Sequence, residues 1–311
     1  MTQTQSSPSG TFSPADIRQL QVKAEAGDLA AQLNLATAYD KGDGVPQSDK
    51  QAMRWYRAAA DQGNATAQNS VGLMFRSGRG AEQDKVEALK WYRKAAKQGH
   101  ANAMFNLGAA YYNGDGTGID DTLAYAWFLL AQSFGSQAAN DAVQRMKDEA
   151  IGLQSDACDK IGDMYRAGEE LAQSPGQALN WYRQAAENGQ GAAQIKLARF
   201  LLQGKDGTPD YAEVRRLCEK AAKMNYPAAA FCIGELYEQG LGVARDLPIA
   251  AKWFTEGASL GHAPAGYGWE RCTGRERALS KITFSPMPSS PWQRCPNCHR
   301  LCRRENVWKR N

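Results

Sequence analysis

The sequence predicts an all-α fold, an αα solenoid of six 36-residue helix-turn-helix repeats with one extra helix after the third repeat. The first reason is a recurrence of aromatic pairs and glycines at steps of 36 residues along the 311-residue chain. The second is a composition of 50 alanines and 30 glycines against 12 prolines, since alanine favours closely packed helices. The third is that hydrophobic residues, 43% of the chain, suffice for a core. No apolar stretch reaches the roughly 18 residues of a membrane-spanning helix.

Two kinds of position carry the recurrence. A pair of residues, aromatic in all but one place, returns every 36 residues apart from one step of 54, as Trp55-Tyr56, Trp91-Tyr92, Trp127-Phe128, Trp181-Tyr182, Leu217-Cys218 and Trp253-Phe254. One series of glycines keeps the same spacing at Gly42, Gly78, Gly114, Gly168, Gly204 and Gly240. A second series stands at Gly63, Gly99, Gly135, Gly189 and Gly261, with Asn225 in the missing place. Asparagine is the usual substitute for glycine at a left-handed helix end, so Asn225 is expected to close a helix.

Each repeat contains two predicted helices separated by a turn. In the first repeat the helices cover residues 31–39 and 49–62, and the turn between them holds Gly42 and Gly44. Gly44 can take the positive φ that such a turn requires. Glu170 and Asp206 replace this second glycine in the fourth and fifth repeats, so those turns are expected to differ. Small residues on the first helix and tryptophan on the second form a stripe typical of a packed core.

These positions together resemble a known repeat family. The pattern is A-x3-[LIV]-[GA]-x2-Y-x2-G-x-G-V followed by A-x2-W-Y-x-K-A-A-x2-G, and residues 88–99, ALKWYRKAAKQG, match its second part closely. It resembles the Sel-one-like repeat family, relatives of the tetratricopeptide repeats, over residues 31–261. The resemblance implies an αα superhelix that serves as a scaffold for protein partners and has no catalytic machinery of its own.

The chain divides into four expected segments. Residues 1–14 are mostly polar, lack the basic start and apolar run of a secretory signal peptide, and are predicted to be a disordered leader. Segment 15–153 holds an N-terminal cap helix over 15–27, three repeats and an extra amphipathic helix over 136–153, which should bend or cap the array. Segment 154–266 holds three further repeats. Residues 267–311 are predicted to be a basic tail, either disordered or the product of a shifted reading frame.

The tail is set apart by its pattern and its charge. The repeat pattern begins again at His262 and then fails, because Glu270 and Thr273 stand where glycine or alanine and an aromatic are expected. The net charge of +4 divides into about +8 from Arg271 onward and about −4 before it. The faintly acidic body gives no reason to expect nucleic acid. The basic tail could touch nucleic acid or anionic lipid, although a solvated end is favoured.

The cysteines raise the question of metal. Three lie in alanine-rich helical sequence and are predicted to be small buried hydrophobic residues with reduced thiols: Cys158, Cys218 and Cys232. A tail cluster has zinc-ligand spacing, with Cys272 as a distant member: Cys295, Cys298, His299 and Cys302. Residues 295–299 also fit the haem attachment pattern Cys-x-x-Cys-His. A second Cys/His pair is missing and haem attachment requires export, so an incidental cluster and no cofactor are expected.

Enzyme motifs are not found in the sequence. The chain has no Gly-x4-Gly-Lys-[Ser/Thr], His-Glu-x2-His or Gly-x-Ser-x-Gly, and it lacks the Ser-x-x-Lys of β-lactamases, a label given to some cysteine-rich relatives of the repeat family. The alternative is a cell-envelope or β-lactamase-like hydrolase that uses Asp159, Asp163 and Glu235, whose pKa values would have to be raised in a closed pocket. A purely structural assembly protein is a third possibility. His100 and His262 follow glycines and are expected to be turn and helix-start residues.

A groove on the first helices is the expected partner site. In related tetratricopeptide arrays the first helices line the concave side, and residues two, six and nine places after the repeat alanine point away from the packing face. These positions vary between repeats while the packing positions do not, as in a binding surface. The candidate binding residues are Asn69, Leu73, Arg76, Phe105, Tyr112, Arg166, Arg199 and Phe231. Among them, Phe105 and Tyr112 are possible anchors, and Arg166 and Arg199 would meet a carboxylate-bearing segment.

The expected partner is a protein or a peptide, held as an extended or helical segment. Without a signal peptide or a transmembrane segment, the protein is expected in the cytoplasm, with unconventional secretion left open. The identity of the partner and the oligomeric state are also left open by the sequence.

We predict that Trp91→Ala lowers the free energy of unfolding by about 3–5 kcal/mol, as other truncations of large buried residues do. The aromatic at this recurring position is expected to fill the space that small residues leave between helices. Chemical unfolding followed by circular dichroism measures the change. A loss below about 1 kcal/mol, the usual range of surface substitutions, would place Trp91 outside the core.

Overall fold

The computed structural model describes residues 12–149, 153–187, 190–204 and 209–279, which form fifteen α-helices and no strand. In chain order the helices are α1 (Pro14–Glu25), α2 (Leu29–Lys41), α3 (Asp49–Asp61), α4 (Ala65–Ser77), α5 (Lys85–Lys97), α6 (Ala101–Asn113), α7 (Asp121–Ser133), α8 (Gln137–Glu149), α9 (Leu153–Ala167), α10 (Pro175–Glu187), α11 (Gly191–Leu202), α12 (Tyr211–Ala222), α13 (Pro227–Gln239), α14 (Leu247–Ser259) and α15 (Ala263–Leu279). Helices α2–α7 and α9–α14 form the six pairs of the repeats, and α8 is the extra helix after the third pair. The predicted all-α solenoid is confirmed.

Polar caps and glycines set the ends of the helices. Helix α4 begins where the Oδ1 atom of Asn64 accepts a hydrogen bond from the amide of Ala67 at 2.9 Å. It ends at Gly78, whose φ of 72° lies in the left-handed region. Asn225, in the place of a recurring glycine, has a φ of 54°, the one positive φ among the described non-glycine residues. The conformation predicted for Asn225 is therefore confirmed.

A ring packed on a glycine holds the two helices of most repeats together. Tyr92 on α5 covers Gly72 on α4 so closely that a Cβ atom at Gly72 would lie 2.5 Å from the Cε1 atom of Tyr92. The same contact recurs as Phe128 on Gly108, Tyr182 on Gly162 and Phe254 on Gly234. In the fifth repeat the equivalent positions hold Ala198 and Cys218. There, alanine on the first helix is larger than the usual glycine, and cysteine on the second helix is smaller than the usual ring.

Helix α1 takes the place of a second helix in front of the first repeat. The second glycine of a turn contacts the start of the preceding second helix, as Gly80 contacts Asp49 on α3. At Gly44 this contact is made by Phe12, whose amide also donates to the Oδ1 atom of Asp43 at 3.0 Å. Residues 12–14 of the expected leader thus already belong to the packed cap of the array. Residues 1–11 lie outside the described part of the chain.

The extra helix α8 changes how the third and fourth repeats stack. Both α8 and α9 pack against α7, so the first helix of the fourth repeat lies directly on the second helix of the third. The turn after α9 then reaches back to α5, where the Nζ atom of Lys97 donates to the carbonyl oxygens of Gly168 at 3.2 Å and Glu169 at 3.4 Å. The array bends enough at this point for the fourth repeat to touch the second.

This bend explains why the fourth turn lacks its second glycine. In the second, third and sixth repeats that glycine lies tightly against the preceding second helix, which leaves no room for a side chain. Glu170, in the same place, has its Oε1 atom 3.8 Å from the Nε atom of Arg93 on α5. Burial raises the pKa of this carboxyl, and the charge of Arg93 opposes the rise. The fourth turn differs as predicted, whereas Asp206 lies outside the described residues.

The boundaries expected after residues 153 and 266 do not separate packed units of the described chain. One buried cluster extends from α5 to α13, with members on both sides of residue 153, so the two blocks of three repeats share a core. Helix α15 continues to Leu279, so the boundary expected after residue 266 falls inside a helix. Cys272 on α15 is buried in a cluster with Phe254. Residues 280–311 of the expected tail are not among those described.

The break in the repeat pattern at Glu270 has a cause other than loss of the helix. The residue at this place is glycine in most first helices because the ring of the repeat's own second helix covers it. Within the described chain, α15 is not followed by such a helix, and Glu270 is exposed. A large polar residue is therefore tolerated at a position where the repeats require a small one.

We predict that Gly108→Ala destabilises the protein although alanine favours helices. The new methyl group would lie 2.7 Å from ring carbons of Phe128, and overpacking of this kind costs about 1–3 kcal/mol. Gly176→Ala on α10 is the matched control, because no atom lies within 4 Å of its Cβ position. It should leave stability unchanged or raise it by about 0.5–1 kcal/mol. Urea unfolding measures both variants, and equal effects would contradict the ring-on-glycine contact.

Candidate functional site

The first helices of neighbouring repeats contact one another in the second half of the array. Helix α9 packs against α11, α11 against α13, and α13 against α15, while the described second helices form no comparable contacts among themselves. In this half of the array the first helices therefore lie closer to one another than the second helices do. The candidate binding residues lie on the first helices of the repeats.

In the first half of the array, three candidates are partly or wholly taken up by packing. Asn69 is 7% exposed, and its Oδ1 atom accepts a hydrogen bond from the Nδ2 atom of Asn106 at 2.9 Å. Leu73 and Phe105 are half-buried and pack against the core. The Phe105 ring lies 5.4 Å from that of Phe128. Asn69 therefore joins two repeats, whereas Leu73 and Phe105 present only part of their surface.

The other two candidates of this half lie near the ends of their helices. Arg76 is half-buried on the last turn of α4, where its charge lowers the pKa of Tyr92 against the larger effect of burial. Tyr112, on the last turn of α6, is 46% exposed. Tyr112 therefore offers the largest aromatic surface among the candidates of this half.

Lys196 on α11 organises the charges of the second half. Its Nζ atom lies 2.6 Å from a carboxylate oxygen of Asp159 and 2.6 Å from one of Asp163, both on α9. The hydroxyl of Tyr182 donates to Asp163 at 2.8 Å, and the guanidinium of Arg166 donates to the same oxygen at 3.3 Å. The candidate Arg166 thus already has a carboxylate partner on its own helix.

Burial acts on the pKa of three carboxyls in this half of the array, and nearby positive charges oppose it to different extents. Burial raises the pKa of Asp159, and the hydrogen bond from Lys196 offsets only part of the rise. Burial acts on Asp163 too, but hydrogen bonds from Lys196 and Tyr182 outweigh it and lower the pKa. Burial also raises the pKa of Glu235, against the charge of Arg199. Asp159 and Glu235 therefore have the raised pKa values that the hydrolase hypothesis requires, whereas Asp163 does not, and Lys196 bridges both aspartates.

The remaining candidates lie on α11 and α13. Arg199 is exposed, and its charge adds to the larger effect of burial in lowering the pKa of His262. Phe231 is half-buried, with its ring 5.6 Å from that of Phe254 and 5.3 Å from that of His262. Arg199 is thus the exposed basic candidate of this helix pair, and Phe231 is mainly a packing residue.

Two residues that bridge first helices were not among the sequence candidates. Asn106 and Lys196 each stand three places after the repeat alanine, and each bonds a residue 37 positions earlier, on the preceding first helix. The recurrence could have identified this position as one that faces the neighbouring repeat. A third bridge joins Arg271 to Glu238 through two hydrogen bonds of 2.7 and 3.1 Å.

His100 serves the local structure. The Nδ1 atom of His100 accepts a hydrogen bond from the amide of Ala103 at 3.2 Å, which caps α6. Burial lowers the pKa of His100, so the neutral acceptor form is favoured. The predicted role of His100 at a helix start is confirmed.

The predicted tail cluster of Cys295, Cys298, His299 and Cys302 lies outside the described residues. Its expected distant member, Cys272, is buried in α15. No described helix combines the length and the apolar composition needed to cross a membrane.

Comparison with known proteins gives both curated relatives and solved structures. The chain is 33% identical over 138 residues to chitin synthase regulatory factor 3 of Schizosaccharomyces pombe, a match that covers 43% of this chain and 14% of the relative. It is 29% identical over 101 residues to the chitin synthase regulator SKT5 of Saccharomyces cerevisiae, covering 32% of this chain and 14% of the relative. Most of each relative therefore has no counterpart here.

Among solved structures, the chain is similar to c5321, a protective antigen of uropathogenic Escherichia coli strains displaying an SLR fold. The identity is 29%, the TM-score is 0.39, and the match covers 84% of this chain and 60% of the other. A Sel1 repeat protein from Oxalobacter formigenes is 28% identical with a TM-score of 0.37, covering 78% of this chain and 90% of the other.

The Sel1 repeat matches the chain six times, over residues 29–64, 65–100, 101–131, 155–190, 191–226 and 227–262. These matches cover more than half of the chain and follow the six helix pairs. They leave out residues 132–154, where α8 lies. The chain therefore belongs to the Sel1 repeat family.

Proposed function

We propose that the protein is a non-enzymatic scaffold that binds a segment of a protein partner along its first helices. Sel1 repeat proteins generally act as scaffolds for protein interactions. The observation that carries the proposal here is a contrast within the fold. The ring-on-glycine packing recurs in four of the repeats, whereas the surface of the first helices changes from exposed Tyr112 on α6 to exposed Arg199 on α11. A constant frame with a varied surface suits partner recognition by repeat arrays.

The curated relatives support an adaptor role. By name, two of them are a regulatory factor and a regulator of chitin synthase, proteins that act on another protein. This chain spans 14% of the length of each. We therefore infer from them only the kind of role, that of an adaptor, and the target protein is to be found by experiment.

The described surface favours a partner segment with apolar and acidic parts. Phe105 and Tyr112 are seven residues apart on α6 and so share a face, which provides an apolar contact at one end. Arg199 provides a donor for a carboxylate at the other end. Arg166 is less suited to this role, because Asp163 already accepts its hydrogen bond.

We predict that Tyr112→Ala reduces recovery of specific partners at least tenfold when the tagged protein is used to capture partners from a lysate of its source cells. An aromatic residue that anchors an interface contributes about 2 kcal/mol or more when truncated. Quantitative mass spectrometry of the captured proteins provides the measurement. Arg199→Ala should reduce recovery of the same partners.

The control for this experiment is Met224→Ala. Met224 is 52% exposed and lies in the turn between α12 and α13, outside the helices to which binding is assigned, so its loss should leave recovery unchanged. Thermal unfolding of all three variants should remain close to that of the wild type, because the substituted side chains are exposed. Identical partner sets for the wild type, Tyr112→Ala and Arg199→Ala would refute the assignment of binding to the first-helix surface.

A further inference from the structure

In the last three repeats, the residue at the ring position of the second helix contacts the residue fourteen places later, on the next first helix. Phe254 packs on Gly268 in this way, with 2.7 Å between a ring carbon and the Cβ position of the glycine. At the contact between the fifth and sixth repeats, both places are cysteine: Cys218 on α12 and Cys232 on α13. Two changes of residue type thus coincide at one contact between repeats.

The two sulfur atoms lie close to bonding distance. The Sγ atoms of Cys218 and Cys232 are 2.7 Å apart, and a disulfide bond needs about 2.05 Å, so an approach of about 0.7 Å would join them. Both side chains are buried, with 0% and 1% of their surface exposed. Cys158, by contrast, has the side-chain oxygen of Gln184 at 4.0 Å as its neighbour. Burial explains a single cysteine as a small hydrophobic residue, but it does not explain two sulfurs that face each other.

We propose that Cys218 and Cys232 form a reversible disulfide that links α12 to α13, a modification that goes beyond the proposed scaffold function. The oxidant is the disulfide of a small thiol or of a thiol–disulfide oxidoreductase. One protein thiolate attacks it, forming a mixed disulfide and expelling one thiol. The second protein thiolate then attacks the protein sulfur of the mixed disulfide, closing the bond and expelling a second thiol. The two protons end on the released thiols, and the oxidant takes up two electrons.

The position of the pair determines when the bond forms. The hydrogen bond to Cys232 and burial both raise the pKa of the Cys218 thiol, so little thiolate exists in the closed array. Oxidation therefore proceeds before α12 and α13 pack, or while they separate locally. Once closed, the bond fixes the fifth repeat against the sixth.

The test measures the thiols directly in the full chain. Reduced protein is unfolded in urea, refolded in a mixture of reduced and oxidised glutathione, alkylated under denaturing conditions without reductant, and digested. Mass spectrometry of the peptides should find residues 218 and 232 joined in most molecules, two hydrogen masses below the sum of the separate peptides. Alkyl groups on both cysteines, or a bond from either one to another cysteine, would overturn the proposal.

Variants separate the bond from simple packing. Closing a loop of this length lowers the equilibrium constant for unfolding roughly a hundredfold, so the oxidised wild type should melt at a higher temperature than the reduced form. Cys232→Ser should abolish this difference, and Cys158→Ser, a matched buried cysteine, should keep it. A redox-dependent shift that persists in Cys232→Ser would contradict the proposal. Capture of partners is measured separately, so failure here would leave the scaffold function untouched.

Discussion

The contact between a ring of the second helix and a glycine of the first sets the helix spacing on which the array depends. At Gly72, a Cβ atom would enter the space of the Tyr92 ring, so the two helices lie closer than a larger residue would permit. Each repeat buries its apolar surface between its own two helices and against the neighbouring repeats. A change of spacing in one repeat would therefore pass to the next. Because the contact lies between the helices, the exposed side of the first helix is free to change.

Helix α8 is best understood as a first helix that has lost its partner. It begins 36 residues after α6, and Ala139 is buried at the place that Ala103 occupies in α6. In the part of the chain that the structure describes, α8 has no second helix of its own, and α9 packs on α7 beside it. Half a repeat therefore fits into the array without breaking the order in which full repeats stack. The cost is the bend that brings the turn after α9 onto α5.

The sequence was sufficient for the fold wherever a position recurs. The helix pairs, the extra helix and the left-handed Asn225 all follow from the 36-residue spacing, because equivalent positions in the repeats make equivalent contacts. Contacts that occur once could not be predicted. Lys97 meets Gly168 only because α8 displaces the regular stacking, and Glu270 is tolerated only because no second helix covers it in the described chain.

The candidate surface was predictable in location but not in the availability of its side chains. Helical periodicity assigns Asn69, Arg166 and Arg199 to the same side of their helices. It does not reveal that Asn106 bonds Asn69 or that Asp163 engages Arg166, because these bonds depend on the distance between neighbouring helices. The bond from Lys97 to Gly168 has a consequence for opening of the array as well. In repeat arrays each unit usually contacts only its neighbours, but this bond and the ion pair of Arg93 with Glu170 join the second repeat to the fourth. Separation of the second repeat from the fourth would therefore have to break these contacts in addition to those made through the third repeat.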